Sequence, residues 1–178
     1  MEMMELQETI TLSDRNFENL VQEHGRQVLN TALRVLGDAS LANDVHQEVF
    51  LSIWRRWSSF NGETYWPGYL YRTTVRKSLE LARRTNPGAP GPSPPVERHW
   101  DPREPDGDMQ AVELGRELAA ALAKLPAHQA DAFVLRRLEG LSTTEVAQIL
   151  GCSAQTVRVH LYRALKKLSR QLKPYLGG

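Results

Sequence analysis

Arg158, Arg163, Lys166, Lys167, Arg170 and Lys173 follow one another with no acid between the first and the last. Val157, Leu161, Leu165 and Leu168 recur among them at helical spacing. That pattern describes a helix with one apolar stripe and a cationic remainder. Such a face neutralises phosphates, and its arginines can pair bidentately with a guanine edge. Gln155 and Thr156 stand at the start of the same run, where a recognition helix points its groove-reading side chains. A second constellation lies upstream. Trp54, Trp57, Phe60, Tyr65, Trp66, Tyr69 and Tyr71 alternate with Arg55, Arg56, Arg72, Arg76, Lys77, Arg83 and Arg84. Aromatic faces stack unpaired bases while cations track the strand. About half of these rings are expected to fill a core instead, since a small helical module needs large side chains. The loop residues Phe60, Tyr65 and Trp66 fit that use least.

Asp44 and Glu48 form an i, i+4 carboxylate pair, to be read either as a catalytic dyad or as a solvated, partner-facing surface. The second reading is favoured because nothing completes an active site. His24, His46, His99, His128 and His160 show no metal-ligand spacing, and Cys152 is the only cysteine. No glycine-rich phosphate loop is present. The chain is therefore expected to be no enzyme and to need no cofactor, metal or small-molecule substrate.

These groups need helices to hold them. Ser142 with Glu145 gives a capping-box pattern before Val146, Ala147, Ile149 and Leu150. Gly151 falls where a left-handed residue ends that helix, and Ser153 caps the next. Short helix, turn and long basic helix make a helix-turn-helix. An ordinary helical hairpin with a solvated basic face is the alternative, but it does not require Gln155 and Thr156 in the first turn.

Ahead of it, helices are expected over about 109–124 and 127–139, with Pro126 at the start of the latter and Gly140 after it. Further upstream, Ser13 or Asp14 is expected to cap a helix closed by Gly37. Asp38 or Ser40 starts a second, and a third runs from about Tyr69 to Arg84. Seven of the ten prolines lie between Pro87 and Pro105, so this stretch reads as a linker. The fold expected is all-α: two small helical domains, 13–84 and 110–175, joined by a flexible Pro-rich acidic linker over 85–109. The net charge of +1 hides an asymmetry. Residues 111–178 carry ten bases against five acids, which suits a nucleic-acid-binding end. The acidic N-terminus lacks a signal-peptide pattern, and a cytoplasmic location is expected.

LGDASLANDVHQEVFLSIWRRWSSF, YWPGYLYRTTVRKSLELARR and LPAHQADAFVLRRLEGLSTTEVAQILGCSAQTVRVHLYRALKKL together resemble the extracytoplasmic-function sigma factors of bacterial RNA polymerase. The resemblance spans nearly the whole chain. It implies a transcription-initiation subunit whose partners are core RNA polymerase, promoter DNA and an anti-sigma factor. By position it implies that Asp44, Gln47 and Glu48 dock on the polymerase, and that the loop 58–68 captures a flipped base of the −10 element. Phe60, Tyr65, Trp66, Arg72, Arg76, Lys77, Arg83 and Arg84 then serve that element. Gln155, Arg158, Tyr162 and Arg163 face the −35 element, with Thr156, Lys166 and Lys167 near phosphates. The chain departs from the family's usual Ile-Ala-Arg-Asn run, carrying Thr73, Thr74, Val75 and Arg76. A stand-alone helix-turn-helix regulator of the response-regulator output type is the competing reading. It would need an N-terminal module of alternating strands and helices.

Overall fold

The computed structural model describes residues 2–60, 62–85 and 109–175. All regular structure among them is helical: α1 (Glu2–Leu36), α2 (Ala39–Trp54), α3 (Trp66–Thr85), α4 (Met109–Ala123), α5 (Ala127–Phe133), α6 (Thr143–Leu150) and α7 (Ala154–Gln171). The expected all-α class holds. The Pro-rich linker lies outside the described residues, apart from Thr85 and Met109, which end α3 and begin α4.

Glycines and short polar side chains set the helix ends. Gly37 takes φ 64°, and its N–H donates to Leu33 O at 2.7 Å, closing α1 in a left-handed cap. Asp38 follows at once and caps α2, its carboxylate accepting from Leu41 N at 3.0 Å. One residue thus ends a helix and the next starts another. The expected start of α1 at Ser13 or Asp14 is not used, because the helix passes through both. The preceding Glu, Met, Leu and Gln residues are good helix formers, with no Gly or Pro to stop them. The helix expected over 127–139 also differs. After Phe133 the backbone widens into a π-turn over Val134–Leu138, with Glu139 N donating to Val134 O at 2.9 Å.

Three apolar clusters hold these helices together. Leu20, Val28, Ala32, Val45, Val49, Phe50, Ile53 and Leu70 form the core of α1, α2 and α3. Ala132, Leu135, Val146, Ile149, Leu150 and Val157 form the core of the helix-turn-helix, with Tyr71 of α3 packed on its edge. The third cluster joins the two halves of the chain. Val35, Val75 and Leu79 meet Leu122, Leu125, Phe133, Val134, Ala164 and Leu168. Val75, Leu122 and Val134 are wholly buried there, and each such side chain stabilises the packing by roughly 1.5–3 kcal/mol. The two helical halves therefore share a core, a closer association than a linker alone implies.

Candidate nucleic-acid and polymerase interfaces

The helix-turn-helix is built as its sequence dictates. Ser142 Oγ accepts from Glu145 N at 3.2 Å, and Glu145 Oε2 accepts from Ser142 N at 2.7 Å, so both halves of the capping box form. These bonds hold the Glu145 carboxyl below its ordinary value. Gly151 takes φ 64°, and Cys152 N reaches back to Ala147 O at 3.0 Å, a Schellman closure. Ser153 Oγ then accepts from Thr156 N at 3.0 Å to open α7. Within α7, Val157, Ala164 and Leu168 are buried. Gln155, Arg158, Tyr162, Arg163, Lys166 and Lys167 are exposed on the opposite side, at the i, i+3, i+7 spacing of one helical face. Tyr162 is 65% exposed, more than any other large apolar or aromatic residue described. Thr156 is half-buried and shares its hydroxyl with Ser153 Oγ at 2.8 Å, so it belongs to the cap as much as to the face. His160 stacks on His128 of α5 at 5.7 Å. Burial, then His128 and Arg163, push its pKa below the ordinary value.

On α2, Asp44, Gln47 and Glu48 are all exposed. Leu51 and Trp54, one and two turns further along, are 42% and 44% exposed. Large apolar groups beside acids on an open face suit a protein partner. Sequence reasoning left Leu51 aside and counted Trp54 among the aromatics interleaved with cations. Its signal was position, since Asp44, Gln47, Leu51 and Trp54 recur at three- and four-residue steps. Glu48 Oε1 accepts from Lys77 Nζ of α3 at 3.0 Å, which holds the Glu48 carboxyl below its ordinary value.

The aromatic loop is more packed than expected. Phe60 and Trp66 are half-buried, Trp57 stacks on Trp66 at 5.6 Å, and Phe60 meets Tyr69 edge-on at 5.2 Å. Trp66 opens α3 and does not sit in the loop. These rings pack on each other and on the core of α1, α2 and α3, and this explains the difference. Tyr65 alone of the three is exposed, at 52%. Between the loop and α1 lies a cavity of about 590 Å³ lined by Asn16, Asn19, Glu23, His24, Phe60 and Trp66. Its α1 lining was not foreseen, since nothing in the spacing of those polar residues marks it.

The cations of α3 are brought together on one helix, but each is engaged within the chain. Lys77 pairs with Glu48 and Arg84 with Glu80. Arg83 Nε donates to Ala123 O of α4 at 2.7 Å. Arg76 Nη2 stands 3.9 Å from Asp131 Oδ2 of α5, and Arg72 adds its charge to the same carboxylate. Among the described residues no group of three or more His, Cys, Asp or Glu is placed to hold a metal.

The geometry is that of a helical protein with one open acid-and-apolar face, an aromatic loop and a DNA-reading helix-turn-helix. Residues 20–87 match the model of Sigma-70 region 2, and residues 115–168 match that of Sigma-70, region 4. The chain belongs to the sigma-70 family, in its extracytoplasmic-function branch. It is 28% identical over 171 residues to the RNA polymerase sigma-H factor of Pseudomonas aeruginosa, covering 91% of this chain and 89% of that protein. It is 32% identical over 164 residues to the ECF RNA polymerase sigma factor SigE of Mycolicibacterium smegmatis, covering 91% of this chain and 62% of that one. In structure it resembles CnrH, solved in complex with the cytosolic domain of CnrY, with a TM-score of 0.54, 26% identity and 90% of each chain covered. It shares its fold with the sigma factor RpoE of Bartonella quintana, solved with the anti-sigma factor NepR, with a TM-score of 0.50 and 20% identity over 89% of this chain and 98% of that one. The chain is a sigma factor: it binds core RNA polymerase and promoter DNA and directs initiation. The response-regulator reading is not favoured, because the described residues of the N-terminal half form helices and no strand.

Proposed function

We propose that residues 13–84 and 110–175 work as two units joined by 85–109, each with one nucleic-acid face. The open side of α2, with Asp44, Gln47 and Glu48 now joined by Leu51 and Trp54, docks on the polymerase. Phe60, Tyr65 and Trp66 engage the −10 element, with Arg72, Arg76, Lys77, Arg83 and Arg84 along the adjoining strand. The exposed face of α7 reads the −35 element through Arg158, Tyr162 and Arg163, with Gln155 and Thr156 at its leading end and Lys166 and Lys167 at phosphates. The protein does no chemistry of its own and acts in the cytoplasm. No described helix is long and apolar enough to cross a membrane. A protein that masks these faces, as NepR is an anti-sigma factor for its own partner, is the expected regulator.

One observation carries this reading. A single chain presents an acid-and-apolar face on α2 and, on α7, a cationic face without one acid from Arg158 to its end. The test is in vitro transcription by core polymerase with and without the chain on a promoter library. Specific transcripts are expected only with it. Asp44→Lys with Glu48→Lys should abolish them while leaving duplex binding by α7 intact.

A further inference from the structure

Val159 of α7 is an aliphatic residue on the side of the helix that has no core to fill. It follows the buried Val157 by two positions, so at about 100° per residue it points about 200° away from it. There it is 36% exposed, among Gln155, Tyr162, Arg163 and Lys166, which are exposed as well. Leu165, the other exposed aliphatic residue of α7, lies about 120° further round, on the flank of the buried stripe. The helix itself gains nothing from Val159, since a branched Cβ makes valine a poorer helix former than alanine.

Gln155 stands one turn before Val159, at the i, i+4 spacing that brings two side chains together on a helix surface. Its amide is already oriented, because Arg158 Nη1 donates to Gln155 Oε1 at 3.4 Å. A guanidinium has only N–H donors, so the amide oxygen must face the arginine and the NH2 group is left to point elsewhere. Glutamine reads adenine with both ends at once, its oxygen accepting from N6 and its nitrogen donating to N7. With the oxygen held by Arg158 that pairing is lost, and a donor remains. A donor beside a branched apolar group matches one base edge in the major groove. Thymine presents an O4 acceptor next to a C5 methyl, guanine presents acceptors with no methyl, and cytosine presents a donor.

We infer that Gln155 and Val159 together read one thymine of the −35 element, Gln155 donating to O4 and Val159 covering the C5 methyl. The inference rests on the proposed placement of α7 in that groove, and it adds a base and a residue, Val159, to the set assigned there. Arg158 acts on this thymine as a positioning residue, through the amide it holds. Its Nε and Nη2 stay free for a guanine edge, so one arginine serves two neighbouring bases.

The test uses the full chain with core polymerase. Duplexes selected from a pool randomised in the upstream element give the preferred sequence. Each thymine in it is then replaced in turn by deoxyuridine, which removes only the methyl. At one position affinity should fall about fourfold, the effect of one apolar carbon group returned to water, and the fall should vanish in Val159→Ala. At that position 5-methylcytosine opposite guanine keeps the methyl but puts a donor in place of O4. Wild type should reject it, and Gln155→Ala should no longer tell it from thymine. Arg158→Ala should admit adenine there, because the amide oxygen is released. All three side chains are exposed, so none of these changes threatens the fold. The inference falls if no thymine is sensitive to its methyl, if Val159→Ala shows the same loss as wild type, or if Arg158→Ala still rejects adenine. A selection altered by Arg158→Ala with no methyl-sensitive position would overturn it and leave α7 in the groove. An upstream preference unchanged in all three variants would sink the placement of α7 as well.

Discussion

Asp131→Asn should make the protein more stable at neutral pH, although it deletes an ion pair. Arg76 Nη2 lies 3.9 Å from Asp131 Oδ2. At that separation a unit-charge attraction is about 4 kcal/mol at an effective dielectric of 20 and about 1 kcal/mol in water. Arg76 is 51% exposed, which puts the attraction toward the lower figure. Against it stands the desolvation of a carboxylate that is 1% exposed, an effect of several kcal/mol per ion. Burial wins, and the Asp131 carboxyl is accordingly raised above the ordinary 3.8. The sign follows. The folded form binds more protons than the unfolded one, so the stability linked to Asp131 is greatest below the ordinary carboxyl range. It falls as pH rises to the elevated folded value and is flat beyond. An amide keeps the shape and loses the charge. Asp131→Asn should gain on the order of 1 kcal/mol at pH 7. For a chain of this size that moves Tm by about 2–4 °C. Thermal unfolding of both proteins from pH 3.5 to 8 checks it: the curves should converge at the acid end and separate as pH rises, with the variant higher. A variant that melts lower than wild type at pH 7, by a gap widening with pH, would show that the guanidinium attraction outweighs burial and refute the reasoning.

Three further outcomes follow from the same geometry. Asp44→Lys with Glu48→Lys should abolish capture by core polymerase with helical content unchanged, since both positions are exposed; wild-type affinity in a pull-down would remove α2 as the docking face. Tyr65→Ala should lower promoter opening, read by permanganate footprinting, without lowering Tm, whereas Trp66→Ala should lower both, because Trp66 also supports the Trp57, Phe60 and Tyr69 rings. Arg158→Ala should relax preference at one or two −35 base pairs by about 1–3 kcal/mol, while Lys167→Ala should weaken all sequences alike and reduce the salt slope by about one, checked on a randomised element at several salt concentrations.

Local structure was legible in the sequence wherever backbone chemistry is local. Ser142 with Glu145, Gly151 and Ser153 fixed the helix-turn-helix in advance, because caps satisfy groups only a few residues away. Gly37 and Asp38 did the same for the α1–α2 turn. The start of α1 was misplaced because a polar residue that can cap does so only where the helix has another reason to stop. Two things were illegible for a different reason. Exposure of Trp54 depends on which helix covers its side of α2, and the burial of Phe60 and Trp66 depends on rings contributed by Trp57 and Tyr69. The contact of Asp131 with Arg76 spans the linker, and no spacing rule reaches that far. Asp131 sits at an apolar-looking position in QADAF, and its burial there is the property a sequence pattern least readily assigns to an acid.

The packed halves cover one set of side chains and leave another open. With the halves closed, Arg72, Arg76 and Arg83 are engaged across the boundary, yet Asp44, Gln47, Leu51 and Trp54 remain open. Under the proposed assignments, polymerase can therefore dock on α2 without any change in how the two halves pack. The Glu48–Lys77 pair links the α2 face to α3 directly. A cation on the polymerase that takes Glu48 leaves Lys77, the fourth of the α3 cations, free to turn to the strand. Glu48 is 52% exposed and Lys77 24%, so the exchange needs no unfolding, only a change of partner at the surface. An exposed pair of this kind is worth about 0–1 kcal/mol, small enough to be displaced by a matched polymerase charge.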